Sequence, residues 1–370
     1  MFLIERMIGV TIYSVILLFV FQMIVSGKIK YKKMLNIYLV CLTIMACFYV
    51  PYKTADLYRI FEIIDLISNF KFYEFVQMFL VNTSSPLAYL IYWVFGRLGI
   101  ARLLPGIVCF IVYSIIFYII RIVAEKYEIS EKSIALTVFF LMSTGSYIMV
   151  ISNIRTMLAL SLICYCYVRE TVKKKFNILH VVLYFSAVLI HNLAVVVFVL
   201  RIVVFVFGKK KKLTDYLMTI AILSIVMAMT IRYGNYLLDS VAEKALTYIG
   251  GDSYSYIWDY ISGSITLLIE LYILRLYKKN EKKEIVLSEY RKYLSITIFI
   301  AIIFCAEFSI YHRLLTYFCP ILIIPLFMYT INNLRTQIRA KYYLILSMSM
   351  MILLLSCVRG SMSSLKFFEL

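Results

Sequence analysis

The stretch SNIRTMLALSLICYCYVRETVKKKFNILHVVLYFSAVLIHNLAVVVFVL, residues 152–200, decides how this chain is organised. Three apolar runs, Ile154 to Val168, Phe176 to Ile190 and Leu193 to Phe207, are parted first by the basic segment Arg169 to Lys175 and then by only two residues, His191 and Asn192. Apolar runs separated by a short basic loop read as membrane helices with that loop in the cytoplasm. A second basic segment, Lys209 to Lys212, closes the third run, so the His191-Asn192 turn falls on the opposite, outer side.

The pattern extends in both directions. Further long apolar runs cover Met7 to Val25, Met34 to Val50, Leu103 to Ala124, Ser133 to Val150, Tyr216 to Ile231, Ser264 to Tyr277, Tyr293 to Phe308, Leu314 to Ile331 and Tyr342 to Val358. The 370 residues are 63% apolar and 16% charged, with a mean hydropathy of +0.91. Globular chains are about 45–50% apolar and about 25% charged, and a soluble chain of this length has too little interior to hide the excess. About twelve crossings of ~20 residues would use ~240 residues, close to the apolar share. The expected fold is therefore all-α and polytopic, a single transmembrane domain over residues 1–370 with about 12 membrane helices. No internal repeat is visible. Met7 to Val25 follows Glu5 and Arg6 and lacks a small-residue cleavage pattern, so it reads as a retained span.

The net charge of +18 raises the question of nucleic acid. Five short loops (28–33, 169–175, 209–212, 278–292 and 335–341) hold 21 of the 38 Lys and Arg, which is the signature of cytoplasmic loops and argues against a nucleic-acid partner. All eight cysteines lie in or beside apolar runs, with no spacing that suggests a disulfide framework or a zinc site. They read as packing residues.

The segment Pro86 to Leu98 raises a problem of parity. An even number of crossings must separate the basic loops at 28–33 and 169–175, and counting this segment makes five. As a helix its 13 residues reach ~20 Å against a ~30 Å hydrocarbon core, so it is expected to dip in or lie at the surface. Residues 52–85 then form an outer loop with interfacial helices, and 232–263 a second long outer loop. Lys53 to Glu74 carries three basic and four acidic residues and Arg232 to Asp259 two and four, the composition of a non-cytoplasmic side.

On that outer side, Arg155 falls in the first turn of a helix, where it meets the positive end of the macrodipole and the edge of the hydrocarbon. A bound anion resolves both penalties: free N–H groups and a guanidinium suit a phosphate or pyrophosphate. An arginine reaching out to lipid headgroups is the plainer alternative. His312 and Arg313 repeat the arrangement before a long apolar helix. His191 sits where an imidazole can exchange a proton, or where it caps backbone carbonyls while Asn192 caps the next helix. Asp56 is the acid nearest the membrane edge, able to orient or deprotonate a hydroxyl, or simply a solvated carboxylate. Around it, Tyr58, Arg59, Phe61 and Glu62 alternate as in a helix lying at the surface. In the other outer loop Tyr254, Trp258 and Asp252 combine aromatic faces with hydrogen-bond acceptors, as a sugar site would and as an interfacial aromatic belt also would. No P-loop, GxSxG, HExxH or paired CxxC is present.

Four blocks, TADLYRIFE (54–62), SSPLAYLIYWVFGRLG (84–99), the quoted 152–200 stretch and HRLLTYFCPILIIPLF (312–327), make the chain resemble the EpsG family of Wzy-like polysaccharide polymerases. Where that family leads to an acidic residue before the proline of the second block, this chain has Ser85-Pro86. The resemblance implies a membrane-embedded glycosyltransferase of GT-C-like architecture. It would join oligosaccharide repeat units carried on undecaprenyl pyrophosphate at the outer face of the bacterial cytoplasmic membrane, into capsular, exo- or O-antigen polysaccharide. It further implies Arg155 and Arg313 on the pyrophosphate, His191 or His312 handling a proton, Asp56 positioning the acceptor, and a chain-length regulator and a flippase as partners. A pyrophosphate leaving group is already activated, so no metal and no cofactor is expected. The rival readings are a flippase or other transporter of lipid-linked oligosaccharide, which would place polar groups along the mid-membrane path, and a membrane O-acyltransferase, which would take its acyl donor from the cytoplasm.

Overall fold

The computed structural model describes residues 2–51, 53, 55–144, 147–175, 177–206, 254–279, 285–303, 308–333 and 345–351. Among these residues every regular element is helical. The chain runs through α1 (Phe2–Val25) and α2 (Tyr31–Cys47) into a group of short helices: α3 (Asp56–Ser68), α4 (Phe72–Phe75), a π-helical turn Val76–Leu80, and α5 (Pro86–Arg97). It continues with α6 (Leu104–Lys126), α7 (Glu131–Thr144), α8 (Tyr147–Ser152), α9 (Ile154–Val172), α10 (Ile178–Ile190) and α11 (Leu193–Val206). After residues outside the description come α12 (Tyr254–Lys279), α13 (Ile285–Ile303), α14 (Phe308–Arg313), a π-helical turn Leu314–Phe318, α15 (Cys319–Leu322) and α16 (Ile324–Asn332). The apolar run at 216–231 and most of the 232–263 outer loop lie outside the described residues; the last part of that loop belongs to α12.

Each expected apolar run that is described is helical over most of its described length. Ala101–Lys126, with Pro105 at its start where a missing N–H costs nothing, is long and apolar enough to cross a membrane by itself. It is walled in by α2, α8, α9 and α16. Tyr311–Leu322 and Ile324–Asn332 pass the same test together and are bent by 50° at Ile323. Pro320 and Pro325 flank that point, each removing a backbone donor and so explaining the bend.

The segments that lead into basic loops gather at one end of the bundle. Lys32 pairs with Glu125 at 2.6 Å, Arg121 donates to the Lys32 carbonyl at 3.2 Å, and Lys126 Nζ donates to the Val172 carbonyl at 2.7 Å. Tyr167 donates to the Glu289 carbonyl at 3.4 Å, and the Ser130 N–H to Asn332 Oδ1 at 2.9 Å. An exposed ion pair such as Lys32–Glu125 stabilises little, but these contacts fix which loops share a side. They put the flanks of 28–33, 169–175, 278–292 and 335–341 together, as the charge reading requires.

The opposite end carries α3 to α5. Leu57, Ile60, Ile64 and Ile67 bury one stripe of α3 at helical spacing, while Leu66, Phe72, Tyr73 and Met78 stay exposed. Trp93 joins the group: its Nε1–H donates to the Phe70 carbonyl at 3.1 Å, and its ring stacks on Phe75 at 5.5 Å. Gly96 lets α5 close on α3, since a Cβ there would lie 2.7 Å from Ser68 Cβ. At 12 residues α5 reaches about 18 Å, short of a crossing, and packs between α3 and α10.

Among the described cysteines none forms a disulfide. Cys109 Sγ donates to the Leu42 carbonyl across α2 and α6 at 3.5 Å, a packing role as expected.

Candidate functional site

Asn153 is the N-cap of α9, at φ −94° and ψ 51°, and its side chain makes no capping bond. Instead Nδ2 reaches the Tyr317 hydroxyl at 3.4 Å, and that hydroxyl donates to Met149 Sδ at 2.9 Å. The amides of Ile154, Arg155 and Thr156 have no carbonyl within α9 to bond. Tyr317 stands one turn after Arg313 and meets the His312 ring edge-on at 5.3 Å. The start of α9 and the His312-Arg313 segment, far apart in sequence, are thus brought together.

Arg155 and Arg313 are both half-buried, and neither makes an ion pair or a hydrogen bond among the described residues. Asp56, in the first turn of α3, is likewise half-buried and unpaired. Tyr92 belongs to α5, which packs on α3 at the same end. The residue is 2% exposed and its hydroxyl has no hydrogen-bond partner among the described residues. Burial pushes that hydroxyl above its ordinary pKa; the Arg155 guanidinium pulls the other way, and Tyr89 and Asp56 add to the rise. It is therefore a neutral donor at physiological pH, with charged neighbours from α9 and α3.

His312 and Arg313 do not precede a helix as the sequence suggested. No Pro or Gly lies between Phe308 and Cys319 to stop one, so α14 passes straight into the π-helical turn, with Arg313 at φ −67° and ψ −36°. Arg313 consequently offers a guanidinium without helix-start amides. The π-turn itself is a rare element that often marks functional positions.

His191 closes α10 in an extended conformation, φ −155° and ψ 133°. Its Nδ1 accepts from the Leu193 N–H at 3.0 Å, so the ring caps an amide at the start of α11 rather than carbonyls of α10. In the neutral ring this fixes the proton on Nε2. α9 and α10 pack side by side as a hairpin. Counted from their connection at 1.5 Å per residue, Arg155 stands about 26 Å up and His191 about 20 Å up, at the same end but at different depths.

Arg59 is exposed on the outer side of α3. Asp252 and the side chains of Tyr254 and Trp258 lie outside the described residues. Two groups escaped the sequence reading. Tyr92 is one tyrosine among 32, and only its burial beside charges singles it out. Glu270 of α12 is fully buried, with both carboxyl oxygens lacking a hydrogen-bond partner among the described residues. Gly263 approaches Tyr311 so closely that a Cβ would stand 3.3 Å from the ring, and Glu270, seven residues on, is about 10 Å deeper. An acidic residue inside a long apolar run was the available signal for it.

The fold and this cluster define the class: an apolar membrane protein, helical throughout its described elements, with two arginines that are unpaired among the described residues at the end opposite its basic loops. The chain belongs to the EpsG family, whose family model matches residues 58–368. No curated protein and no solved structure matches it.

Proposed function

We propose that this protein polymerises lipid-pyrophosphate-linked oligosaccharide repeat units at the outer face of the bacterial cytoplasmic membrane. It would do so with about twelve spans in a GT-C-like arrangement, making a capsular, exo- or O-antigen polysaccharide. Membership of the EpsG family supports the polymerase reading. The observation that carries the site is the pair of unpaired arginines, Arg155 and Arg313, on segments joined by the Asn153–Tyr317 contact.

In the proposed reaction an acceptor hydroxyl attacks the anomeric carbon of the donor unit. The new C–O bond forms as the bond from that carbon to the pyrophosphate oxygen breaks, and the lipid pyrophosphate leaves with the electron pair. The hydroxyl proton passes to Asp56 or His312. His191 fits the base role less well, because its Nδ1 lone pair is already held by the Leu193 amide. Arg155, with the first amides of α9, and Arg313 take up the charge of the leaving group. A chain-length regulator and a flippase would work beside it. Neither nucleotide nor metal is needed in this scheme.

Glu270 is the one observation that favours a transporter, because it places an ionisable group deep in the bundle. Its sign is wrong for an anionic headgroup, so the polymerase reading is preferred.

The test is purified protein with lipid-linked repeat units in EDTA, beside Arg155→Ala and Arg313→Ala. Long polymer in EDTA is expected, with polymer formation at least about 100-fold lower in each variant at normal protein level. Normal polymer from both variants, or full dependence on added magnesium, would reject the proposal.

A further inference from the structure

We infer that the groove between α6 and α9, at the end where the basic loops gather, is a binding site for the headgroup of an anionic phospholipid, held by Arg169 and Lys173 with Arg121 on its flank. This goes beyond the polymerase reading and does not rest on it.

The cluster is built across two helices that pack side by side. The Tyr118 ring of α6 meets the Tyr165 ring of α9 with centroids 5.3 Å apart. Arg169, one turn after Tyr165, donates to the Tyr165 hydroxyl at 2.6 Å. Lys173, one turn further, holds its ammonium 5.3 Å from the centre of the Tyr118 ring. Two cations of α9, four residues apart on one face, are thus turned onto one pair of tyrosines. Arg121, three residues after Tyr118, donates to the Lys32 carbonyl at 3.2 Å and to the Asn36 side chain. Every one of these acceptors is neutral. The nearby acids are engaged elsewhere, Glu125 with Lys32 at 2.6 Å and Glu170 with Arg201 at 2.8 Å. Arg121, Arg169 and Lys173 therefore have no ion-pair partner among the described residues.

Placement decides which anion fits. Arg169 stands about 4.5 Å before the end of α9 and Arg121 about 7.5 Å before the end of α6, close to the level at which tyrosines anchor membrane helices among headgroups. Towards the bilayer centre the same two faces stay open and turn apolar, with Ile111 in line with Tyr118 and Leu162 in line with Tyr165, all four half-buried. A ligand with a phosphate at one end and acyl chains at the other matches that polarity, and a free anion does not. Cations near helix C-termini also suit the macrodipole, but that effect requires no tyrosine pair bridging α6 and α9. Basic pockets between membrane helices on the cytoplasmic side are a recurrent form of anionic-lipid site.

The experiment titrates the purified full-length protein in detergent with phosphatidylglycerol or phosphatidylcholine, counts bound lipid by native mass spectrometry, and takes melting temperatures with and without lipid. The variants are Lys173→Gln, Arg169→Gln/Lys173→Gln, and Lys174→Gln/Lys175→Gln, which removes two charges from exposed residues just past the groove. Wild type is expected to bind phosphatidylglycerol more tightly than phosphatidylcholine. Lys173→Gln is expected to lower phosphatidylglycerol affinity about fivefold, the groove double variant about 25-fold, and the loop double variant less than about twofold. Lys173 donates no hydrogen bond among the described residues, so Lys173→Gln is expected to melt as wild type does without lipid and remains decisive even if the double variant fails to fold. Wild-type affinity in Lys173→Gln, or equal losses in Lys174→Gln/Lys175→Gln and the groove double variant, overturns the inference in favour of diffuse charge. Glycerol 3-phosphate displacing the lipid at equal concentration overturns it in favour of a free phosphate.

Discussion

At the scale of single residues, the chain sorts its polar groups by whether they are already in use. His191 is in use: its ring holds the first amide of α11 at 3.0 Å. Losing a helix-start cap costs about 1 kcal/mol, and asparagine can accept the same bond. His191→Ala is therefore expected to lower the melting temperature of the purified protein, and His191→Asn to restore both the melting temperature and long polymer. Loss of polymer in a stable His191→Asn protein would show that the imidazole does more than cap. Arg155, Arg313 and Asp56 are the contrasting case, half-buried charges without an ion-pair partner among the described residues. Keeping such groups near hydrocarbon carries a penalty that a substrate of opposite sign can offset.

At the scale of elements, the position of α5 depends on close backbone approach. A methyl group at Gly96 would meet Ser68 Cβ at 2.7 Å and the Ile64 carbonyl oxygen at 3.2 Å. Overpacking of this kind typically costs about 1–3 kcal/mol. Gly96→Ala is expected to destabilise the protein by that amount in chemical or thermal unfolding and to cut polymer yield, because α5 shifts against α3, the helix that carries Asp56. Ser68→Gly in the same chain should recover part of both; no recovery would mean that the α3 contact is not what limits α5. The bend at Ile323 and the π-turn before it belong to this scale too. The prolines marked the bend in the sequence, whereas nothing in LLTYF (314–318) announces the extra residue of a π-turn.

At the scale of the whole molecule, the two ends of the bundle differ in chemistry. The sequence made the helices and the gathering of the basic loops at one end legible, because apolar runs and basic loops are local signals, and the pairing of Lys32 with Glu125 and of Lys126 with the Val172 carbonyl agrees with them. It also pointed to Arg155 and to the outer turn at His191. What it could not supply was proximity. The meeting of Asn153 with Tyr317 and the burial of Tyr92 and Glu270 depend on how helices pack, and packing leaves no mark at fixed spacing. Sidedness itself is open to test in intact cells, with the native cysteines replaced and single cysteines put at exposed Lys71 and Lys28. A membrane-impermeant maleimide is expected to label the first and not the second until the cells are broken open. Equal labelling of both before lysis would overturn the orientation.

The contacts among the basic-loop flanks have one more consequence. Helix termini on that side are stitched to one another through the backbone carbonyls of Lys32, Val172 and Glu289 and the side-chain oxygen of Asn332. A bundle clasped at its base like a tied sheaf splays at its rim first. Under the proposed function, a lengthening glycan comes and goes sideways at that rim while the clasped end stays shut.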